Sequence, residues 1–340
     1  MRIKSAYIEI TNLCNLNCST CYNRSGLNKT KREFSFQDLS QTLRRLRSEF
    51  GCQTFRFSGG EPFLHSEMPA LIAHMSTLLE EDSEINFGFV TNGTISQPEL
   101  IQLMQQYPER FLLQISLDGS CEEINARTRG VGSFGKSISF LDEVVKSGVK
   151  PIVKMVISRH NIADLESFFH MAIQHGASPE FAFVNPAGNA LDGWETKGLS
   201  AKEKLQALRK INQLGKHYGL EPSLPRTSLG CALADSEAPL GVLIKCNGVM
   251  QPCQLLYDEA YSLGNILTDS TELIHEKRAL LSHLACERER RDYGCKNCIL
   301  KTGCHKGCPA YAVYATGDFL SADGDCDARR LEMLTFDFHL

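Results

Sequence analysis

The chemistry of this chain is concentrated in its cysteines, of which there are fourteen in 340 residues. Cys14, Cys18 and Cys21 are spaced C-x3-C-x2-C near the start. Three thiolates so close together repel one another unless a cation holds them. A structural zinc site takes four ligands, and the next cysteine, Cys52, opens a different part of the chain. Three thiolates with one ligand missing suit an iron–sulfur cluster with one open iron, able to bind a substrate or cofactor directly. A zinc ion closed by a distant histidine, or three unligated thiols, are the competing arrangements. Nine more cysteines run from Cys231 to Cys326. Among them Cys295, Cys298, Cys304 and Cys308 read C-x2-C-x5-C-x3-C, with Cys326 beyond. By itself that spacing fits a zinc ribbon or a ferredoxin-like cluster. Upstream, Asn247-Gly248 is a turn signal shortly before Cys253, and Cys231 lies 22 residues before Cys253.

The setting follows from composition. A net charge of −4, with 42% hydrophobic and 22% charged residues, is ordinary for a globular chain and leaves no basic footprint for nucleic acid. No apolar run approaches the ~20 residues of a membrane helix. The opening Met1-Arg2-Ile3-Lys4-Ser5 leads into a strand-like segment rather than a signal peptide. The expectation is a cytoplasmic protein without a membrane partner. Disulfides are rare there, so fourteen cysteines point to metal or redox chemistry.

The elements that must position these residues show a rhythm. Strands are predicted at Ala6–Ile10, Gln53–Phe57, Ile85–Val90, Phe111–Ser116, Pro151–Ile157 and Glu180–Val184. Each is followed by a helix-like segment, the first with an N-cap at Ser35 and Asp38 at the third helical position, a variant of the capping box. Six strand–helix units imply parallel strands with right-handed crossovers, enough for a partial (β/α)6 barrel. In such barrels the active site lies at the C-terminal ends of the strands. There the sequence places Ser58-Gly59-Gly60-Glu61-Pro62, Thr91-Asn92-Gly93, Ser116-Leu117-Asp118-Gly119, Ser158-Arg159-His160-Asn161 and Asn185-Pro186-Ala187-Gly188. Each could be turn chemistry alone, the favoured reading for Thr91-Asn92-Gly93. Together with a three-cysteine loop they form one rim. Beyond about Gly219 the rhythm stops, which predicts a core at 1–220 and a Cys-rich region at 221–340 with little regular structure, organised by metal.

With these motifs in place, residues 6–220 resemble the radical SAM superfamily. The triplet has that family's spacing after the first strand, and Ser58-Gly59-Gly60-Glu61-Pro62 matches its S-G-G-E-P segment after the second. The resemblance implies that Cys14, Cys18 and Cys21 ligate a 4Fe-4S cluster whose fourth iron is chelated by S-adenosylmethionine (SAM). It implies that Gly59, Gly60 and Glu61 receive the methionine ammonium, that Ser116 contacts the ribose, and that Arg129 pairs with the methionine carboxylate. The family's aromatic before the third cysteine is Thr20 here, with Tyr22 after it. From about 231 to 330 the chain resembles the SPASM extension. That implies two auxiliary 4Fe-4S clusters, one on Cys295, Cys298, Cys304 and Cys326, the other on Cys231, Cys253 and Cys308. The fourth position of the second is left to Cys246, Cys286, a non-cysteine group or the substrate. Cys52 and Cys121 are expected to be small buried hydrophobes.

The implied activity is reductive cleavage of SAM to a 5′-deoxyadenosyl radical that abstracts hydrogen from a peptide. A small molecule such as a haem precursor or sugar is the alternative substrate. Oxidation to formylglycine, as in sulfatase-maturing relatives, is disfavoured because their aspartate after the Cys253 position is Gln254 here, and an amide cannot take a proton usefully. The expected partners are a flavodoxin or ferredoxin donor and, because the first motif begins at residue 14, a separate leader-binding protein or a leader held by the barrel. Asp118, Asp258, Glu259, His160 and Tyr257 are candidate bases.

Overall fold

The computed structural model describes residues 1–28, 30–225, 227–301 and 303–336. Nine strands form one sheet: β1 Ile3–Thr11, β2 Thr54–Gly59, β3 Asn86–Thr91, β4 Phe111–Ser116, β5 Ile152–Ile157, β6 Ser178–Phe183, β7 Leu240–Ile244, β8 Val249–Gln251 and β9 Gly264–Asn265. Their order is β6-β5-β4-β3-β2-β1-β7-β8-β9. The first six are parallel and run in chain order from β1 outward, as six strand–helix units require.

Side chains alternate across each strand, and the two faces differ sharply. Ile8, Ile10, Phe55, Phe57, Phe87, Phe89, Ile115, Val153 and Met155 are buried in the core. Phe57 and Phe89 lie 5.2 Å apart between ring centroids, and Phe57 and Phe87 6.0 Å, a spacing that favours tilted or offset rings. The intervening residues are Tyr7, Glu9, Arg56, Ser58, Gln114, Ser116 and Lys154, a polar set on the opposite face.

Helices Phe36–Phe50, Met68–Glu81, Pro98–Gln106, Ser133–Lys146, Leu165–Gln174 and Ala201–Tyr218 cover the apolar side. The first begins as expected, with the Ser35 hydroxyl accepting from Asp38 N–H. The last starts in a full capping box of Ser200 and Glu203 and stops at Gly219, whose φ is 65°, the left-handed geometry that suits glycine.

Two features depart from the sequence reading. The sheet does not end with the strand–helix rhythm: β7 pairs parallel with β1, Ala6 opposite Val242 and Ile8 opposite Ile244, and β8 and β9 follow antiparallel. The C-terminal third also carries regular structure, in helices Thr271–Arg290, Pro309–Thr316 and Cys326–Phe336. The first of these buries Ile274, Arg278, Leu281, Ser282, Ala285 and Arg288. Two arginines and a serine on the inward stripe erase the apolar period that betrays a helix. No helix among the described residues is long and apolar enough to cross a membrane.

Candidate active site

The cysteine loop leaves the end of β1 and is tied down by the loops of other strands. Gly60 N–H donates to Thr11 C=O at 2.8 Å and Glu61 N–H to Leu13 C=O at 2.7 Å. Ser19 N–H reaches Thr128 C=O at 2.8 Å, at the end of helix Glu122–Arg129. After β6, Asn189 N–H donates to Cys21 C=O at 2.8 Å, and its side-chain amide to Cys18 C=O at 2.9 Å. After β3, Asn92 Nδ2 donates to Asn15 Oδ1 at 2.9 Å, so Thr91-Asn92-Gly93 is more than a turn. Glycine is dictated by contact: a Cβ on Gly59 would lie 2.2 Å from Thr11 O, and one on Gly60 1.9 Å from Leu13 O. Gly59 also has φ +135°, which side chains rarely tolerate.

These ties surround a cavity of about 300 Å³ over the polar face of the barrel, at the small end of the usual range for ligand pockets. Cys14, Cys18, Cys21, Gly59, Gly60, Ser116 and Arg129 all line it, together with Ser58, Gln114, Lys154 and Gln254. Arg129 is largely withdrawn from solvent, its side chain 11% exposed, rather than a solvated surface charge, and its Nε lies 2.9 Å from Asp118 Oδ2. Burial works against its charge, and the neighbouring Asp118 more than offsets this. Asp118 is thereby committed: its other oxygen accepts from Val156 N–H at 2.9 Å.

Glu61 stands behind the cavity wall. Its carboxylate accepts from Thr91 Oγ1 and Asn92 N–H, both at 2.7 Å, and from Phe63 N–H at 3.2 Å. It braces the β2 and β3 loops against each other, and burial lifts its pKa to about 7.

The donor set fits a polynuclear cluster with SAM. Burial raises the Cys14 thiol to about 11 and the Cys18 thiol to about 12, with the charge of the neighbouring cysteines adding to the effect. A cation is what makes thiolates stable there. Among the described residues no three His, Cys, Asp or Glu converge tightly enough for a single metal ion. A cubane binds each thiolate at a different iron, so its ligands need only surround a shared space. The Ser58 hydroxyl, buried and lining the cavity, has no partner among the described residues, and the Gly59–Gly60 backbone lines the same space.

The C-terminal cysteines separate into two groups. Cys295, Cys298, Cys304 and Cys326 line one pocket with Arg329 and Arg330. Arg329 is held by both oxygens of Asp323 at 2.7 Å, and its Nη2 reaches Cys326 Sγ at 3.5 Å. Cys231, Cys253 and Cys308 are half-buried near one another, and after desolvation the charges of Cys253 and Cys231 help raise the Cys308 thiol to about 12. Burial raises the Cys246 thiol to about 11, with the charge of Glu9 adding to the effect, and Cys286 donates to Ala234 C=O at 3.1 Å. Cys52 is buried as expected, whereas Cys121 is exposed at the start of helix Glu122–Arg129. That corrects the expectation: the residue precedes a polar helix with no apolar face to cover it.

Sequence reasoning missed a cluster centred on Glu9, which is 3% exposed. Its Oε1 accepts from Tyr22 OH at 2.8 Å and Asn23 Nδ2 at 2.9 Å, and its Oε2 from Tyr257 OH at 2.9 Å. The available signal was a lone acid inside the apolar strand Ala6-Tyr7-Ile8-Glu9-Ile10.

Residues 8–172 match the Radical SAM superfamily. The chain is 27% identical over 329 residues to the mycofactocin maturase MftC of Mycobacterium ulcerans, covering 93% of this chain and 85% of that protein. It is 26% identical over 292 residues to the sporulation killing factor maturation protein SkfB of Bacillus subtilis, covering 83% and 67%. Among solved structures, native anSMEcpe with bound AdoMet and Cp18Cys peptide superimposes with a TM-score of 0.76 at 17% identity, covering 99% of this chain and 98% of that one.

Proposed function

The chain is a radical SAM enzyme of the SPASM type, and on that premise we propose that it matures a ribosomally made peptide by hydrogen abstraction, using one SAM-binding and two auxiliary 4Fe-4S clusters. The observation that carries this reading is a single cavity on which the Cys14–Cys18–Cys21 loop, the Gly59–Gly60 backbone, Arg129 and Gln254 all open. MftC and SkfB, both named for maturation, support the peptide substrate.

When bound, SAM and its cluster supply a 5′-deoxyadenosyl radical by reductive cleavage. The chain supplies position. Gly59 and Gly60, which line the cavity, would offer backbone carbonyls to the methionine ammonium, and the lack of a Cβ lets that backbone pack against Thr11 and Leu13. Arg129 meets the methionine carboxylate while Asp118 holds the guanidinium in place, a use to which its planar fork is suited. Ser116 lies on the same cavity for the ribose. Gln254 brings the segment just after Cys253 to the cavity, but its amide takes no proton, so formylglycine formation by an aspartate at this place is unavailable. Cys231, Cys253 and Cys308 hold one auxiliary cluster and Cys295, Cys298, Cys304 and Cys326 the other. A flavodoxin or ferredoxin in the cytoplasm delivers the electron, and a separate protein or the barrel itself holds the leader.

Anaerobic reconstitution tests the reading. About twelve irons per chain are expected, the sum of three four-iron clusters, with SAM cleaved to 5′-deoxyadenosine. Cys14→Ala should abolish cleavage and keep about eight irons. Turnover of a short peptide encoded beside the gene supports a peptide substrate, whereas turnover only of a tetrapyrrole or sugar overturns it.

A further inference from the structure

The Glu9 cluster joins two parts of the molecule that the proposed chemistry needs in register. Tyr257 lies four residues after Cys253 and stacks under Lys245, whose Nζ is 4.0 Å from the ring centroid. Its ring also meets Tyr22 edge-on, 5.9 Å between centroids. Its hydroxyl donates to one oxygen of Glu9, while the other oxygen takes Asn23 and Tyr22. The same Asn23 amide also donates to Gly59 C=O at 3.1 Å. Its side-chain carbonyl accepts from Ser25 Oγ at 2.7 Å and, in the cluster-free chain where Cys21 keeps its proton, from Cys21 Sγ at 3.1 Å. An unbroken line of contacts therefore runs from the Cys253 segment through Tyr257, Glu9 and Asn23 to Gly59 and to Ser25 in the stretch after the third cysteine.

We propose that Glu9 is a positioning residue that sets the SAM site according to the seating of the Cys253–Tyr257 segment. The reasoning is one of satisfied donors. Two phenols and an amide share one buried carboxylate, and losing an acceptor in a buried site leaves a donor unpaired. With Tyr257 on one oxygen, Glu9 turns the other to Asn23 and Tyr22, and Asn23 holds the Gly59 carbonyl and the stretch after Cys21. When the segment shifts, Glu9 is released to swing, and Asn23 loses the group that orients it. A SAM site assembled only when the auxiliary region is seated would keep radical formation from running ahead of substrate placement. The inference rests on the proposed SAM site and reaches beyond it, because Tyr257 is not among the groups expected to touch SAM.

The test uses reconstituted full-length enzyme carrying Tyr257→Phe or Glu9→Gln, both close in shape to the native residues. SAM is titrated into the reduced protein and followed through the EPR signal of the SAM-binding cluster. Hydrogen–deuterium exchange is read over residues 14–25 and 58–61. Each variant is expected to bind SAM about tenfold more weakly, to exchange faster in both segments, and to keep the iron content of wild type. Wild-type SAM affinity in both variants overturns the proposal, as does a lowered Tm with affinity and exchange unchanged, which marks a merely structural contact. If Glu9→Gln does not fold, Tyr257→Phe decides alone. Failure of the wild-type enzyme itself to bind SAM overturns the SAM site and this coupling together; normal wild-type binding with unaffected variants overturns the coupling only.

Discussion

At the scale of single residues, two buried charges near the cavity behave oppositely. Glu61 sits with its pKa lifted to about 7 from an ordinary 4.5 because burial outweighs its three donors. The folded chain therefore holds a proton that the unfolded chain has released, and stability falls as pH rises from 4.5 through about 7. The loss is on the order of 3 kcal/mol. In the cluster-free chain, urea midpoints of Glu61→Gln should vary less over this window than those of wild type. Arg129→Gln, in contrast, strands the fully buried Asp118 carboxylate. A broken buried pair costs about 3–5 kcal/mol, so urea unfolding should register a loss of that size, accompanied by loss of SAM binding. The cysteines and the Gly59–Gly60 pair were legible in the sequence because their chemistry is in their spacing. Glu61's actual partners were not, since two of its three donors, Thr91 and Asn92, stand at the end of the next strand and in the loop after it, and meet it only on folding.

Among the elements, the cysteine loop owes its shape to the strand ends around it. Gly60→Ala would place a Cβ against Leu13 C=O and push the loop off β2. Iron should fall by about four per chain with both auxiliary spectra retained, measured by iron assay and EPR. In the core, Phe57→Ala should cost about 3–5 kcal/mol, since its ring packs on Phe87 and Phe89. The six strands and their helices were readable because each strand carries apolar alternation and each helix an apolar stripe. Helix Glu122–Arg129 was not, because it buries only Asn125 and Thr128. Helix Thr271–Arg290 hid behind Arg278 and Arg288, which point inward to bond the carbonyls of Leu233 and Gly307.

For the whole molecule, the two C-terminal cysteine groups predict separable losses. Cys298→Ala should remove about four irons while SAM binding persists, because that pocket shares no lining residue with the cavity. Cys253→Ala should disturb both iron content and SAM affinity, since Gln254 and Tyr257 follow directly. The junction between the regions was the least legible part of the fold. No local pattern tells Leu240-Gly241-Val242-Leu243-Ile244 that its partner is the first strand of the chain.

That pairing has a consequence for how the protein is made. β1 leaves the ribosome first, yet the strand that closes its second side is encoded more than two hundred residues later. At about 5–20 residues per second, Ala6, Ile8 and Ile10 wait tens of seconds beside an open edge. An unpaired, apolar strand edge is an invitation to another chain. A nascent or truncated chain ending before residue 240 should therefore bind chaperones or aggregate, and slowing synthesis before that point should lower the yield of folded enzyme more than slowing it after.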